Sequence, residues 1–498
     1  MGWPVLTTPS GACPPSAGRG KGGPAPLRPW GNGLGGRRVV CVRWGAVAAT
    51  AQPPEVTAWF PLRNPGQQFG RDSRAGLAMR LSLLLLLLLL PGLPPALGME
   101  DDASFPHLGE SSQPPPRACP PRCSCPRPDT VDCDGLDLRV FPDNITRAAQ
   151  HLSLQNNQLQ ELPYNELSRL SGLRTLNLHN NLISSEGLPD EAFESLTQLQ
   201  HIYVAHNKNN LISKVPRGAL SRQTHLRELY LQHNQLTDSG LDATTFSKLH
   251  SLEYLDLSHN QLAEVPAGLP RTLAVLHLGR NRIRWVEAAR LGGLRGLRYL
   301  LLQHNQLGAT GLPAGALRLL RGLHTLHLYG NRLDRVPQAL PRRLRALVLP
   351  HNRVAALGAR DLASTPRLAE LNLAYNCLAS ARVHLRAFRR LRALRSLDLA
   401  GNQLTQLPSG LPAGLHTLRL QRNQLRALEP EPLAGLHQLQ ELSLAHNRLR
   451  VGDIGPGTWH ELQALQVRGR LVGHTIPRAA PSPFCLLAQL LPWKALRR

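Results

Sequence analysis

Leucine and asparagine recur along most of this chain in one pattern, L-x-x-L-x-L-x-x-N-x-L with conservative substitutions. Thirteen copies fill the sequence from about residue 149 to residue 449, and one of the clearest is Leu252, Leu255, Leu257 and Asn260. The L-x-L core alternates apolar and polar positions, which predicts a short β-strand with one buried face. Because each copy places leucine at the same positions, neighbouring copies should stack their leucines into one continuous core.

Asparagine follows each predicted strand, where its short amide can bond to the backbone of adjacent copies. The complete pattern is the leucine-rich repeat signature. We therefore expect residues 148–472 to form a leucine-rich repeat solenoid, an α/β horseshoe with thirteen clear repeats and a degenerate fourteenth. Short parallel β-strands should line its concave face. Polyproline II, 3₁₀ and short helical segments should form its convex face.

The distances between successive turn asparagines show a second, longer period. From Asn260 onward they run 21, 24 and 26 residues and then start again, a super-period of 71 residues. Each 21-residue repeat contains two nearby prolines, as at Pro266 and Pro270, which exclude helix and favour an extended segment. The third repeat holds extra residues after Asn207, which predicts a local bulge there.

A cluster of four cysteines precedes the repeats, in a predicted cap at residues 119–147. Its members are Cys119, Cys123, Cys125 and Cys133. A solenoid must cover the open end of its core, and a small disulfide-stapled cap can do so. Four cysteines allow three pairings, of which a Cys123–Cys125 bridge has poor geometry because one residue separates the two. A zinc site is the competing interpretation, but the cluster lacks paired C-x-x-C spacings.

The segment before the cap predicts secretion. Residues 79–98 have the features of a signal peptide: a basic start, a run of eight leucines and a cleavage site of small residues. The apolar run is too short for an ordinary transmembrane helix. Residues 1–78 are rich in Gly, Pro and Arg, and we expect them to be an upstream extension that the mature protein lacks. Residues 99–118 should be a short disordered segment, and residues 473–498 a divergent tail.

The signal, the cap and the repeat series together resemble the small leucine-rich repeat proteins and proteoglycans of the extracellular matrix, class V in particular. The resemblance covers roughly residues 79 to 467. It implies the disulfides Cys119–Cys125 and Cys123–Cys133. The carboxyl-terminal end departs from the family pattern, because the fourteenth repeat has Arg470 in place of its asparagine. The tail also supplies a single cysteine where many members have a closing pair.

Charge favours polyanionic partners. Residues 99–498, the predicted mature chain, hold 47 Lys and Arg and 31 Asp and Glu, so the net charge is 47 − 31 = +16. For a secreted protein this favours sulfated glycosaminoglycans over nucleic acid, for which no recognition motif is present. Two segments share the form x-B-B-x-B-x, with B basic, a pattern associated with heparin-like ligands. Their arginines are the candidate glycosaminoglycan-binding residues: Arg342, Arg343, Arg345, Arg389, Arg390 and Arg392. An ordinary solvated surface is the alternative.

The concave sheet face is the second candidate site. Between the third and fifth repeats it combines aromatic and acidic residues, a mixture suited to a protein ligand. The candidates, all expected to be exposed, are Tyr203, Tyr230, Tyr254, Glu228 and Asp256. A solvated sheet face without a ligand is the alternative.

Histidines precede many turn asparagines, and stacked imidazoles are one way to hold a metal, but histidine is common in such turns and we predict no metal site. These histidines are His206, His233, His259, His304, His351 and His446.

These features predict a secreted extracellular-matrix protein that binds collagen-like matrix proteins, growth factors or both through its solenoid surface. A soluble or shed receptor-like ectodomain acting in cell signalling is the alternative. The sequence shows no nucleophile elbow, H-E-x-x-H motif or phosphate loop, so we expect no enzyme activity, no cofactor and no membrane span. Asn144-Ile145-Thr146 is a usable N-glycosylation sequon beside the cap. The Ser-Gly pairs lie within repeats, so an attached glycosaminoglycan chain is not expected.

Overall fold

Each L-x-L core forms a three-residue strand, and the strands join side by side into one sheet. The computed structural model describes residues 119–206 and 212–465, which belong to one of the two compact units into which the chain divides. In these residues fifteen strands pair in chain order. The first pair, β1 (Ser124–Arg127) and β2 (Thr130–Asp132), is antiparallel, and β2 then pairs in parallel with β3 (His151–Ser153). The predicted leucine-rich repeat solenoid is confirmed.

The remaining strands are parallel and in register, so the middle residue of each strand aligns with the middle residue of the next. Parallel strands begin at the same edge of a sheet, which we call the leading edge. Strands β3 to β15 are His151–Ser153, Thr175–Asn177, His201–Tyr203, Glu228–Tyr230, Tyr254–Asp256, Val275–His277, Tyr299–Leu301, Thr325–His327, Ala346–Val348, Glu370–Asn372, Ser396–Asp398, Thr417–Arg419 and Glu441–Ser443.

The core is a continuous column of leucine side chains beneath the sheet. In most repeats the three pattern leucines, such as Leu252, Leu255 and Leu257, are fully buried. Burial of one such side chain contributes about 1.5–3 kcal/mol to folding. In most of the 26-residue repeats a buried phenylalanine, such as Phe246 or Phe388, joins the leucines in the core.

The turn asparagines form a second column that satisfies buried backbone groups. The side-chain amide of Asn260 donates to the carbonyl oxygens of Leu231 and Leu257, each at 3.0 Å, and its Oδ1 accepts from the amide of Leu236 at 3.0 Å. The carbonyl of Leu257 also accepts from Asn281 at 2.9 Å. Each asparagine therefore ties its own repeat to the preceding one.

The side of the solenoid opposite the sheet carries only short helical pieces in the described residues. Two are α-helical, α1 (Tyr164–Ser168) and α2 (Ala288–Gly292), and four are 3₁₀ turns at Asp238–Gly240, Ser380–Arg382, Glu431–Leu433 and Val451–Asp453. The proline segments of the 21-residue repeats contain no helix. Each turns at a residue with positive φ, namely Gly268, Ala339 and Gly410.

The cap closes the amino-terminal end of this core. Cys119 is bonded to Cys125 and Cys123 to Cys133, with Cα–Cα distances of 6.0 Å and 4.5 Å, the pairing that the resemblance implies. Cys133 is buried in the same cluster as the leucines, so the second disulfide anchors the cap to the solenoid.

Several predictions fall on residues outside those described. They concern the extension 1–78, the signal peptide 79–98, the segment 99–118, most of the bulge after Asn207, Arg470 and the tail 473–498. Asn181 and the turn asparagines from Asn260 to Asn447 each accept, at Oδ1, a hydrogen bond from the backbone amide two residues after the preceding turn asparagine. Asn234 Oδ1 is buried and has no hydrogen-bond donor among the described residues.

Candidate binding surfaces

Three tyrosines form a stacked column on the sheet face between β5 and β7. Tyr203 and Tyr230 are register partners at the ends of β5 and β6, and their ring centroids lie 4.6 Å apart. Tyr254 stands at the start of β7, and its ring centroid lies 4.8 Å from that of Tyr230. The rings cover one another, so they are half-buried and not exposed as expected. Desolvation raises the pKa of Tyr203 to about 12 and those of Tyr230 and Tyr254 further.

The two predicted acids of this region have different surroundings. Glu228 remains accessible: it accepts a 3.1 Å hydrogen bond from the Tyr230 hydroxyl and lies 3.3 Å from His201 Nδ1. The prediction that Asp256 is exposed is wrong, because it is 6% exposed. Its carboxylate accepts from the amide of Ser258 at 2.8 Å and lies 3.0 Å from Nδ1 of His277, its register partner on β8. These contacts hold the pKa of Asp256 below its usual value despite the burial. The sequence signal for this pair was the shared strand position in consecutive repeats.

A second column of rings lies beside the tyrosines, at the residue before each turn asparagine. This residue has positive φ in the described repeats, a conformation in which Asn and His are enriched. His206, His233 and His259 all have φ of 56°, and their imidazoles stack with centroids 3.8 Å and 3.7 Å apart. Desolvation, followed by neighbouring positive charge, lowers the pKa of His233 and His259 to about 4. No group of metal-binding side chains suited to an ion occurs in the described part of the chain.

The aromatic patch, defined as Tyr203, Tyr230, Tyr254, Glu228 and Asp256, is thus one contiguous surface of neutral rings beside a carboxylate. Its polar groups are the tyrosine hydroxyls and Glu228, since Asp256 lies beneath the surface. This arrangement offers aromatic contact area that is already ordered before a ligand binds.

A different group of side chains occupies the sheet face from β12 to β15. Arg419 donates to both carboxylate oxygens of Glu441, at 3.0 Å and 3.3 Å, and its Nη1 lies 3.9 Å from Asp398. Glu370 stands two strands from Arg419. Desolvation raises the pKa of both Glu370 and Asp398, and the positive charge of Arg419 opposes this shift. We call Glu370, Asp398, Arg419 and Glu441 the ionic patch.

The six candidate arginines are all exposed, but the structure does not place them as two equivalent motifs. Arg345 immediately precedes β11, whereas the residue that immediately precedes β13 is Arg395. Arg392 is therefore the counterpart of Arg342, and Arg389 and Arg390 lie one turn earlier. The strand β12 separates the two groups. The two sequence motifs are identical in form, but their positions relative to the following strand differ by three residues.

The predicted glycosylation site lies on the cap surface. Asn144 is exposed and has φ of 59°, and Thr146, the third residue of the sequon, is partly exposed. A glycan there would extend into solvent.

Comparison with known proteins identifies the family. The family described as Leucine rich repeat matches residues 147–208, 208–262, 342–404 and 413–467. Podocan-like protein 1 of Homo sapiens is 72% identical over 503 residues, which cover 83% of this chain and 98% of that protein. The chain is a podocan-like small leucine-rich repeat protein. Podocan of Mus musculus is 43% identical over 70% of this chain and 72% of its own length, and lumican of Rattus norvegicus is 33% identical over 44% and 69%.

The comparisons confirm the resemblance inferred from the sequence. This is a family of extracellular-matrix leucine-rich repeat proteoglycans, and its relatives are non-enzymatic structural and binding proteins. Among solved structures, a leucine-rich repeat protein of Leptospira interrogans has a TM-score of 0.56 and 27% identity, over 67% of this chain and 88% of that one. No described helix is long and apolar enough to cross a membrane.

Proposed function

We propose that this podocan-like protein is secreted into the extracellular matrix and binds collagen-like matrix proteins, growth factors or both through the aromatic patch. A further part of the proposal is that exposed arginines, including Arg342, Arg345 and Arg392, bind sulfated glycosaminoglycans. The observation that carries the proposal is the continuous tyrosine stack on the sheet face, at centroid spacings of 4.6 Å and 4.8 Å.

The stack supports a protein ligand for two reasons. Tyrosine and arginine dominate the binding energy of protein interfaces, and central aromatic anchors often cost more than about 2 kcal/mol when truncated. Rings that already support one another lose little conformational freedom when a ligand covers them. Glu228 adds a negative charge at the patch, which would select a basic side chain on the ligand.

The proposal is tested by replacing Tyr203, Tyr230 and Tyr254 together with alanine in the secreted chain and measuring binding to immobilised fibrillar collagen. We expect at least a tenfold loss of affinity, since roughly 1.4 kcal/mol already corresponds to that factor. The matched control replaces the three tyrosines Tyr299, Tyr329 and Tyr375, which lie outside the stack, and should bind as the wild type does.

Because the stacked rings are half-buried, the alanine variant will also lose some stability. A second variant with phenylalanine at the same three positions keeps the stack and removes the hydroxyls. Intermediate collagen binding by this variant supports the patch. Equal collagen binding by the wild type, both variants and the control would show that the sheet face is not the site.

A further inference from the structure

The residues that immediately precede the strands form a ladder along the leading edge of the sheet. Backbone amides join them from repeat to repeat: Arg298 donates to Ala274, His324 to Arg298, Arg345 to His324 and Arg395 to Ala369, at 2.7–2.8 Å. Successive strands lie about 4.8 Å apart. From β9 to β13, four steps, this ladder therefore spans roughly 19 Å and places Arg298, Arg345 and Arg395 on one line.

A second row of arginines runs parallel to the first, three residues earlier in each repeat. Arg295, Arg321, Arg342 and Arg392 each follow one core residue and precede a buried leucine by two positions. Leu297, Leu323, Leu344 and Leu394 are those leucines, all fully buried. Since the flanking positions point into the core, the arginine between them must point to solvent, and all four are exposed. Sequence motifs missed Arg295, Arg298 and Arg321 because they occur as L-R-x-L-R and L-R-x-L-H, not as x-B-B-x-B-x.

The segments that precede β9 to β13 on the leading edge, 292–298, 318–324, 340–345, 364–369 and 388–395, contain no Asp or Glu. None of the seven arginines in the two rows forms an ion pair with any described residue. The positive charge of the arginines acts on His324, which lies between Arg298 and Arg345 in the ladder. Burial lowers its pKa, and the positive charges of Arg345, Arg298 and Arg343 lower it further.

We propose that the leading edge from β9 to β13 is one continuous binding ledge for a linear sulfated polysaccharide, which lies across the strands along the solenoid. This inference rests on the glycosaminoglycan part of the proposed function and specifies its residues and direction. Guanidinium groups bind oxyanions through two parallel hydrogen bonds, which suits sulfate. The two arginine rows repeat along the solenoid as charges repeat along a linear polyanion. The ledge carries no exposed aromatic anchor of the kind that dominates protein interfaces, so the polysaccharide is favoured over an acidic protein.

The test measures how the affinity for heparin depends on salt concentration. The ledge variant is Arg295→Gln, Arg298→Gln and Arg321→Gln, three residues outside both sequence motifs. The matched control is Arg282→Gln, Arg332→Gln and Arg353→Gln, at the exposed residue after the turn asparagine, on the opposite edge of the sheet. Glutamine is native at this position in other repeats, at Gln235, Gln261, Gln306, Gln403 and Gln424, so the control should fold normally.

For contacts to nucleic-acid phosphates, the slope of log affinity against log salt falls by roughly one for each contact removed. We expect the ledge variant to lower the slope by about three and the control by less than about one. Equal losses in the two variants would overturn the ledge and leave diffuse attraction to net charge. Absence of heparin binding by the wild type would overturn the glycosaminoglycan part of the proposed function as well. Competition by polyglutamate as strong as that by heparin would assign the edge to an acidic polypeptide instead.

Discussion

The aromatic patch and the ionic patch occupy the same face of the same sheet, on frameworks that are alike in their hydrogen bonds. Asn260 and Asn402 bond to equivalent backbone groups at 2.9–3.2 Å, and the leucines around both are fully buried. In the aromatic patch, desolvation favours the neutral forms of tyrosine and of the adjacent histidines. In the ionic patch, an arginine lies among carboxylates. The strand positions beside the leucines therefore set the local electrostatics, while the leucines and asparagines set the fold.

Substitution of one turn asparagine beneath each patch tests whether the two frameworks are equivalent. Asn260→Ala leaves the buried amide of Leu236 without an acceptor, and Asn402→Ala does the same to Leu378. An unsatisfied buried donor costs about 1–3 kcal/mol, and with the lost amide donors we expect each variant to lose about 2–4 kcal/mol. Urea denaturation, with hydrogen exchange to locate the opening, measures both. A difference of more than about 1.5 kcal/mol between the variants would show that the face patches contribute to the framework.

Most of the fold was predictable because it depends on residues that repeat. The strand positions, the parallel order, the buried leucines and the turn asparagines all follow from a single L-x-x-L-x-L-x-x-N pattern, since each repeat must present the same face to its neighbours. The tyrosines were found for the same reason, because their positions on the sheet face could be counted from the leucines.

What the sequence could not show depends on contacts between repeats. Asp256 is buried beside His277, which lies one repeat away in sequence and is its register partner. The stacking of Tyr254 on Tyr230 joins unlike strand positions and depends on ring orientation. Arg392 and Arg342 are recognised as equivalent positions only after the repeats are aligned by their strands.

A second prediction uses pH to separate the histidine column beside the aromatic patch from the ionic patch. In the unfolded chain histidine has its ordinary pKa of 6.5, whereas in the folded protein the pKa of His233 and His259 is about 4. Between these pH values the unfolded chain binds protons that the folded chain does not. The free energy of unfolding is therefore not reduced by these histidines above about pH 6.5, and it decreases as pH falls toward 4. Glu370 and Asp398 act with the opposite sign, because their raised pKa values make the folded state gain protons first as pH falls through the carboxylate range.

The measurement is the change in melting temperature across this pH window for the wild type and for His233→Asn with His259→Asn. Asparagine occupies the same left-handed position at Asn156 and Asn180, so the variant should keep the backbone. We expect a smaller loss of stability on acidification in the variant. The remaining loss of stability on acidification should come from other histidines whose pKa values are also lowered, such as His327, His304 and His351. The control replaces the exposed His250 and His460. A variant that loses as much stability as the wild type would show that the histidine stack does not respond to pH as inferred.

A third prediction concerns Arg419 in the ionic patch. Its side chain is 42% exposed, so its contacts with Glu441 and Asp398 resemble a surface ion pair, which contributes about 0.2–1 kcal/mol. We expect Arg419→Gln to lower stability by less than about 1 kcal/mol. The change in the pKa of Asp398 should be clearer than the change in stability. Because the charge of Arg419 opposes the upward shift of this pKa, removing the charge should raise it further. NMR titration of the carboxyl carbon measures this pKa. Arg426→Gln, an exposed change after the next turn, provides the control and should leave that pKa unchanged. An unchanged Asp398 pKa in Arg419→Gln would mean that solvent, and not the arginine, sets the electrostatics of the ionic patch.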